Sequence, residues 1–322
     1  MPYENIPNPL KTPDEIMDEV IKNDHVFNIW KHIIAGRDAD VNNDPYYTIV
    51  KAQHEVIANY PLDPQIEGYQ VGSPWHGNLT NARVMFLSSN PAITPTCYYP
   101  RYHGDDRYTL YGDKKIIHDI ANHNPPCNRE DAKRFIENRF NHTPFTYTGA
   151  APNDPRWSVY MLDAAGNAII KGRGGVMFWN NLWKTAADFL GDGIQRAWTE
   201  QRKRDSLQNV VSAEIVPFLS MNEAGVGEVL EDCWDRYTMH VLANCPARVI
   251  FLVGRRVMRL FCRIINDPAI QHTFNNREYV DINLAGRIRK VAWLRHFSNG
   301  WTERMHLPSN WFAPNVLQAL RN

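Results

Sequence analysis

The chain of 322 residues is long enough for one large domain or for a core with additions, and we expect a core with additions. Its 35 basic and 35 acidic residues balance, so the net charge indicates no polyanionic partner, and no apolar run approaches the roughly 20 residues of a membrane-spanning helix. The five cysteines form no C-x-x-C pair, and the first residues contain neither a basic leader nor the apolar segment of a secretory signal. We therefore expect a cytoplasmic globular protein with mostly reduced thiols, no membrane partner and no obligate protein partner.

Residues 1–80 are predicted to form a helical N-terminal extension. Apolar residues recur at helical spacing over 12–35 and 46–60, and the stretch 61–77 contains Pro and Gly residues that favour turns. The main domain is then expected to cover 81–322.

The first strand of that domain is predicted at 83–87, and it ends in the polar turn SSNPAI at 88–93. Residues 94–175 are rich in Pro, Asn, Asp and Tyr and show one helical pattern, near 128–140. A stretch this long without regular structure is typical of a functional insertion.

Helical and strand patterns alternate over the remainder of the chain, which favours an α/β fold with a central parallel sheet flanked by helices. The predicted helices cover 174–191, 194–207, 225–243, 255–266 and 309–321, and the predicted strands cover 210–216, 248–254 and 291–294.

Basic residues crowd the part of the chain that precedes His296. They are predicted to form either a patch that contacts phosphates or an ordinary solvated face. These residues are Arg248, Arg255, Arg256, Arg259, Arg263, Arg287, Arg289, Lys290 and Arg295.

Polar groups follow three of the predicted strands. Asn90 follows VMFLSS, the segment EIVPFLSMN covers 214–222, and His296 lies in WLRHFSNGW. Because ligands of open parallel sheets bind beyond the carboxyl ends of the strands, we expect these groups to converge on one cleft.

The same segments resemble the motifs of the uracil-DNA glycosylase superfamily. SSNPAI is similar to its first motif, WLRHFSNGW to its second, and MFWNNLWKTAADFL to a helix that follows the first motif in the mispair-specific branch. The resemblance implies that Asn90 positions the attacking water and that His296 stabilises the departing base, without a metal or a cofactor. Two departures are Ala92, where the family has glycine, and Phe297, where it has proline.

The excised base is expected to be a modified cytosine. If Glu214 faces the pocket, a carboxylate there accepts a hydrogen bond from cytosine N4, whereas the alternative is a Glu that caps a helix or pairs with an arginine. The overall pattern resembles the anti-phage branch of the superfamily, which removes glucosylated hydroxymethylcytosine from phage DNA. The resemblance leaves the stacking aromatic open among Tyr98, Tyr99 and Trp157, and Phe178 is a further candidate for base binding.

DNA is the expected partner, and its backbone is expected to contact the residues that follow the last two strands. The candidates are Arg255, Arg256, Arg295, Ser298 and Trp301. Trp301 is either a wedge that fills the vacated base stack or a core residue under the final helix.

Three alternative functions remain open on the sequence. One is a repair glycosylase for uracil or mismatched bases, a second is a DNA-binding protein of the same fold without catalysis, and a third is a hydrolase of free nucleosides.

Overall fold

The fold comes from a computed structural model, and the structure describes most of the chain outside the predicted insertion. The described residues are 2–21, 23–59, 72–89, 101–102, 108–109, 140, 161–162, 168–169, 173–192, 198–218, 220–297 and 307–322.

Three helices form the N-terminal region, and local sequence signals fix where two of them begin. Thr12 and Glu15 form a capping box: the Glu15 carboxylate accepts from the Thr12 backbone N–H at 2.7 Å, and the Thr12 hydroxyl accepts from the Glu15 N–H at 3.2 Å. The Asn23 side chain accepts from the backbone N–H of Val26 at 3.0 Å and caps the second helix. The helices are α1 (Pro13–Ile21), α2 (Asp24–Ile34) and α3 (Tyr47–Asn59).

The rest of the described chain alternates strands and helices, as predicted. The main strands are β1 (Trp75–Gly77), β2 (Val84–Ser88), β3 (Val210–Glu214), β4 (Val249–Val253), β5 (Val280–Leu284) and β6 (Arg287–Leu294). The helices are α4 (Arg173–Leu190), α5 (Glu200–Asp205), α6 (Leu230–Cys233), α7 (Met239–Asn244), α8 (Arg255–Ile265), α9 (Pro268–Asn275), α10 (Pro308–Trp311) and α11 (Pro314–Arg321).

Shorter elements complete the described structure. A π-helical turn, Trp234–Thr238, joins α6 to α7. Two small pairs of strands lie within the predicted insertion, Arg101–Tyr102 with Tyr108–Thr109 and Met161–Leu162 with Ala168–Ile169.

The six strands form one mixed sheet in the order β1-β3-β2-β4-β6-β5. The four central strands are parallel, as predicted, whereas β1 and β5 pair antiparallel with β3 and β6 at the two edges. The predicted central parallel sheet is therefore correct for the middle of the sheet and incomplete at its edges.

The hairpin of β5 and β6 was not predicted from the sequence. Leu284 pairs with Arg287, so the loop contains only Ala285 and Gly286, which have φ values of 50° and 77°. A two-residue loop with positive φ at both positions matches the right-handed twist of the flanking strands, but it usually has Asn or Gly at its first position. Because residue 285 is alanine, the sequence did not indicate this turn.

Two cores cover the two faces of the sheet. The large core packs α1–α3 and α6–α9 against residues such as Met85, Leu87 and Leu252, and the small core packs α4, α10 and α11 against Phe86 and Phe251. The described residues of 1–80 pack into the large core and include strand β1. The domain boundary at residue 80 stays a prediction.

The predicted helix at 225–243 begins later, at Leu230, but its predicted buried face is confirmed. It comprises Val229, Cys233, Trp234, Tyr237 and Val241, all of which are buried.

Arg289 departs from both predictions for the basic region, because it is neither a phosphate ligand nor solvated. It is 1% exposed, and its guanidinium donates to the backbone carbonyl groups of Leu242, in the last turn of α7, and of Cys245 and Ala247 just after it. Burial lowers its pKa. Arginine at a helix C-terminus satisfies carbonyl groups that the helix leaves without partners.

Candidate functional site

The carboxyl ends of the four parallel strands meet at one edge of the sheet. The chain leaves β2 toward β3 on one side, and it leaves β4 toward β6 on the other side. The gap between β2 and β4 is therefore the topological switch point of the sheet, where ligands of such folds bind.

His296 lies at this edge, two residues after the end of β6, and it packs on Gly254 at the end of β4. The Gly254 N–H donates to the Leu294 carbonyl at 2.8 Å, and Gly254 has a φ of 104° that L side chains rarely adopt. A Cβ at position 254 would lie 3.2 Å from both Cβ and Cδ2 of His296. Glycine at 254 therefore allows the imidazole to pack closely against the end of β4.

Phe178 and Asn181 of α4 fix the segment around His296. The ring centroids of Phe178 and His296 are 5.9 Å apart. The Asn181 side chain is buried and donates to the backbone carbonyl of Phe297 at 2.6 Å. The sequence did not single out Asn181, although it stands in the FWNNLW segment that carried the family resemblance.

Phe297, directly after His296, is a core residue. It is fully buried in the small core, and its ring centroid lies 5.7 Å from that of Phe86 and 5.4 Å from that of Phe178. Its burial anchors the turn after β6 by packing.

A row of polar side chains crosses β2 and β3 on the small-core face. Ser212 lies opposite Phe86, and Glu214 lies opposite Ser88. Because directly paired residues project from the same face, all three polar side chains share the face of Phe86. The hydroxyl oxygens of Ser88 and Ser212 and Oε2 of Glu214 are buried and have no hydrogen-bond partner among the described residues.

Glu214 is 7% exposed, so its carboxyl group does not lie at the surface. Burial raises its pKa well above the usual range of a glutamate, and the nearby charge of Glu223 raises it further. Both effects favour the protonated form of Glu214, which has one O–H donor and one carbonyl acceptor. Among the described residues it neither caps a helix nor pairs with an arginine, which were the structural alternatives for this position.

Glu223 follows β3 and contacts two neighbouring segments. One carboxylate oxygen accepts a short hydrogen bond from Ser89 Oγ, and Oε2 lies 2.7 Å from Nε of Arg256. Arg256, a predicted DNA contact, thus takes part in an ion pair, and both Arg256 and Arg255 beside it are exposed.

Arg295 lies beside an aromatic and basic cluster near the same edge. The guanidinium carbons of Arg295 and Arg277 lie 5.2 Å and 4.4 Å from the ring centroid of Trp311. The sequence did not single out Arg277, because it precedes a strand that was not predicted. Stacked guanidinium groups are suited to contact phosphate oxygens.

Six predicted site residues lie outside the described residues, namely Asn90, Tyr98, Tyr99, Trp157, Ser298 and Trp301. The structure thus brings together His296, Glu214 and Phe178 at one edge, with Arg255, Arg256 and Arg295 around them.

Within the described ranges, no group of three or more His, Cys, Asp or Glu side chains is arranged to hold a metal ion. The same part of the chain contains no helix that is both long and apolar enough to cross a membrane.

No protein-family model matches the chain, and no curated protein shows significant sequence similarity to it.

Proposed function

We propose that the chain is a monofunctional DNA glycosylase that hydrolyses the N-glycosidic bond of a flipped, modified pyrimidine and leaves an abasic site. The observation that carries the proposal is the placement of His296, which packs on Gly254, and of the buried carboxyl group of Glu214 at the same edge of the sheet, on either side of the switch point. The base proposed from the family resemblance is glucosylated hydroxymethylcytosine in phage DNA.

His296 stabilises the leaving group in this proposal. Cleavage of the bond builds negative charge on the pyrimidine, and an imidazole N–H donates a hydrogen bond that strengthens as the charge grows. Asn90, which the sequence places two residues after β2, holds the attacking water by its amide oxygen. The sugar is strongly electrophilic in the transition state, so the water needs no strong base.

Glu214 binds the edge of the base as a neutral acid. Its O–H donates to N3 of a cytosine and its carbonyl oxygen accepts from N4, so both polar atoms of that edge are paired. A neutral carboxyl with its proton on the other oxygen also matches the N3–H and O4 of uracil. Glu214 therefore requires a donor and an acceptor on the base, and the preference for a modified cytosine rests on the family resemblance.

Phe178 and the arginines support the rest of the substrate. The half-buried ring of Phe178 lies beside His296 and offers an apolar surface to the base. Arg277 and Arg295, stacked on Trp311, lie beside the same edge and contact phosphates of the flanking DNA.

The experiment is single-turnover base release from duplexes that differ at one nucleotide. Each duplex contains uracil, cytosine or glucosylated hydroxymethylcytosine, and abasic sites are cleaved with alkali. We expect strand cleavage only for the glucosylated base, and its loss in Asn90→Ala protein that remains folded. Release of uracil alone would favour a repair glycosylase, and release only from free nucleosides would favour a nucleoside hydrolase. DNA binding without any abasic site would favour a non-catalytic protein.

A further inference from the structure

Glu223 has an unusual backbone for its residue type. Asn222 and Glu223 are consecutive and have φ values of 52° and 59°. Side chains other than Gly rarely adopt the left-handed region, and such residues persist only where the surroundings hold them in place. The surroundings of Glu223 therefore need an explanation.

The contacts of Glu223 join three strand ends. Its carboxylate accepts from Ser89 Oγ, directly after β2, and lies 2.7 Å from Nε of Arg256, in the first turn of α8 after β4. Its own backbone carbonyl accepts from Nη2 of the same guanidinium at 3.0 Å. Glu223 itself belongs to the segment after β3, so one residue links the exits of β3, β2 and β4.

We propose that Glu223 is a positioning residue that holds the exits of β2 and β4 in a fixed arrangement around the base-binding side chain Glu214. The proposal rests on the proposed function for its catalytic consequence, but the structural linkage is independent of it. Ser89 also immediately precedes the catalytic candidate Asn90 in the sequence.

A second Glu–Arg pair on the same helix provides a matched comparison. Glu231 pairs with Arg263 of α8 at 2.7 Å, with side chains 67% and 52% exposed, whereas Glu223 is 28% exposed. Exposed pairs of this kind contribute little. Glu223 differs because it also binds Ser89, and because its charge lies close enough to Glu214 to raise the pKa of that carboxyl group.

The first test follows backbone hydrogen exchange, which does not depend on activity. The N–H groups of Ile215 and Val216 donate to the carbonyl oxygens of Ser88 and Ser89, both at 2.9 Å. In Glu223→Gln and Ser89→Ala we expect these two amides to exchange about tenfold faster or more, because the end of β2 is released. The control Glu231→Gln should exchange there like the wild type. Unchanged exchange at Ile215 and Val216 in both site variants would overturn the proposal.

The second test measures rate and binding on the same modified duplex. We expect Glu223→Gln and Ser89→Ala to lower the single-turnover rate by roughly 10- to 100-fold, because small misplacements of reacting groups cost about that much, while the Kd for DNA changes by less. Unchanged rates, or an equal loss of rate and binding, would overturn the positioning role.

The charge of Glu223 gives a third readout that a purely structural contact would not move. The pKa of Glu214, followed by carbon-13 NMR, should fall in Glu223→Gln and stay unchanged in Ser89→Ala. If the wild type releases no base from any duplex, the proposed function fails, and the exchange and titration results still decide the role of Glu223.

Discussion

The two faces of the central sheet differ in how their buried polar groups are satisfied. On the large-core side, the Thr238 hydroxyl donates to the Ile215 carbonyl at 2.8 Å. The atoms on that side without a hydrogen-bond partner among the described residues include the indole N–H groups of Trp75 and Trp234, which lie on different elements. On the small-core side, Ser88, Ser212 and Glu214 lie on two adjacent strands, and each has a side-chain atom without a partner in the part of the chain that the structure describes.

We infer from this difference that one face is a structural core and that the other carries the proposed binding site. Burying a polar group without a partner costs about 1–3 kcal/mol, so a cluster of such groups is retained where a ligand or water supplies the missing partners. We therefore expect mutations in the large core to lower the stability of the protein. We expect mutations in the polar row of Ser88, Ser212 and Glu214 to change its activity and its pH dependence.

The largest expected effect is on the large core. Phe261 is fully buried in α8, with its ring 6.0 Å from Trp234 and 6.3 Å from Phe274. Phe261→Ala should lower the free energy of unfolding by about 3–5 kcal/mol, measured by urea denaturation, because it leaves a cavity. Ile288→Ala, at a side chain that is 74% exposed, is the control and should change little. A decrease in the free energy of unfolding of less than about 1 kcal/mol for Phe261→Ala would contradict tight packing of the large core around this ring.

His296→Ala tests the opposite region, where the effect should fall on the reaction. We expect the single-turnover rate to drop by about 10²–10³-fold, the usual cost of removing one donor to developing charge, while the Kd for DNA changes much less. His25, a surface residue paired with Asp44, provides the control substitution His25→Ala. Equal losses in rate and affinity would make His296 a substrate-positioning or structural residue.

Glu214→Gln tests whether the pKa of Glu214 is raised in the folded protein, and the measured quantity is the free energy of unfolding as a function of pH. The folded state keeps the Glu214 proton at pH values where the unfolded chain, with a pKa of about 4.3, has lost it. Wild-type stability therefore falls as pH rises from about 4.3 toward the raised folded pKa, and Glu214→Gln lacks this loss. In denaturation experiments, the free energy of unfolding of the variant should therefore rise relative to that of the wild type across that pH window. The other charged or titratable groups at this edge, Glu223, Arg256, His76 and His296, are present in both proteins, so the two proteins differ only at residue 214. Parallel stability curves would refute a neutral Glu214.

The smallest expected effect compares two buried hydroxyl groups. Thr238→Val should cost about 1 kcal/mol, because it leaves the Ile215 carbonyl without its donor. Ser212→Ala should be neutral or stabilising by up to about 1 kcal/mol, because its hydroxyl has no partner among the described residues. Equal destabilisation by both substitutions, in the same denaturation assay, would show that the polar row is as well satisfied as the large core.

Much of the central sheet was predictable because buried parallel strands have continuous apolar sequences. Segments such as VIFLV at 249–253 are apolar throughout, and their alternation with helical patterns predicts a parallel arrangement. The edge strands were not predictable in the same way. Strand β1 has only three residues, and β5 has a two-residue turn with an uncommon first residue.

The candidate site was predictable where a polar residue lies at or just after the end of a strand. Glu214 is the last residue of β3 and His296 lies two residues after β6, and the sheet places both at one edge. Glu223, Asn181 and Arg277 were not found, because each makes its contact with a segment distant in sequence. The raised pKa of Glu214 was missed for the same reason, since burial and the charge of Glu223 come from the tertiary fold.

The contact between Gly254 and His296 has a consequence for how the sequence can diverge. A side chain at 254 would both strain the backbone and press against the imidazole, so the two positions cannot change independently. Among naturally varying homologues that retain this fold, a residue other than glycine at 254 should therefore occur together with the loss of histidine at 296. Laboratory selection for activity from a library randomised at both codons should recover the glycine–histidine combination, even though the two residues lie 42 positions apart in the chain.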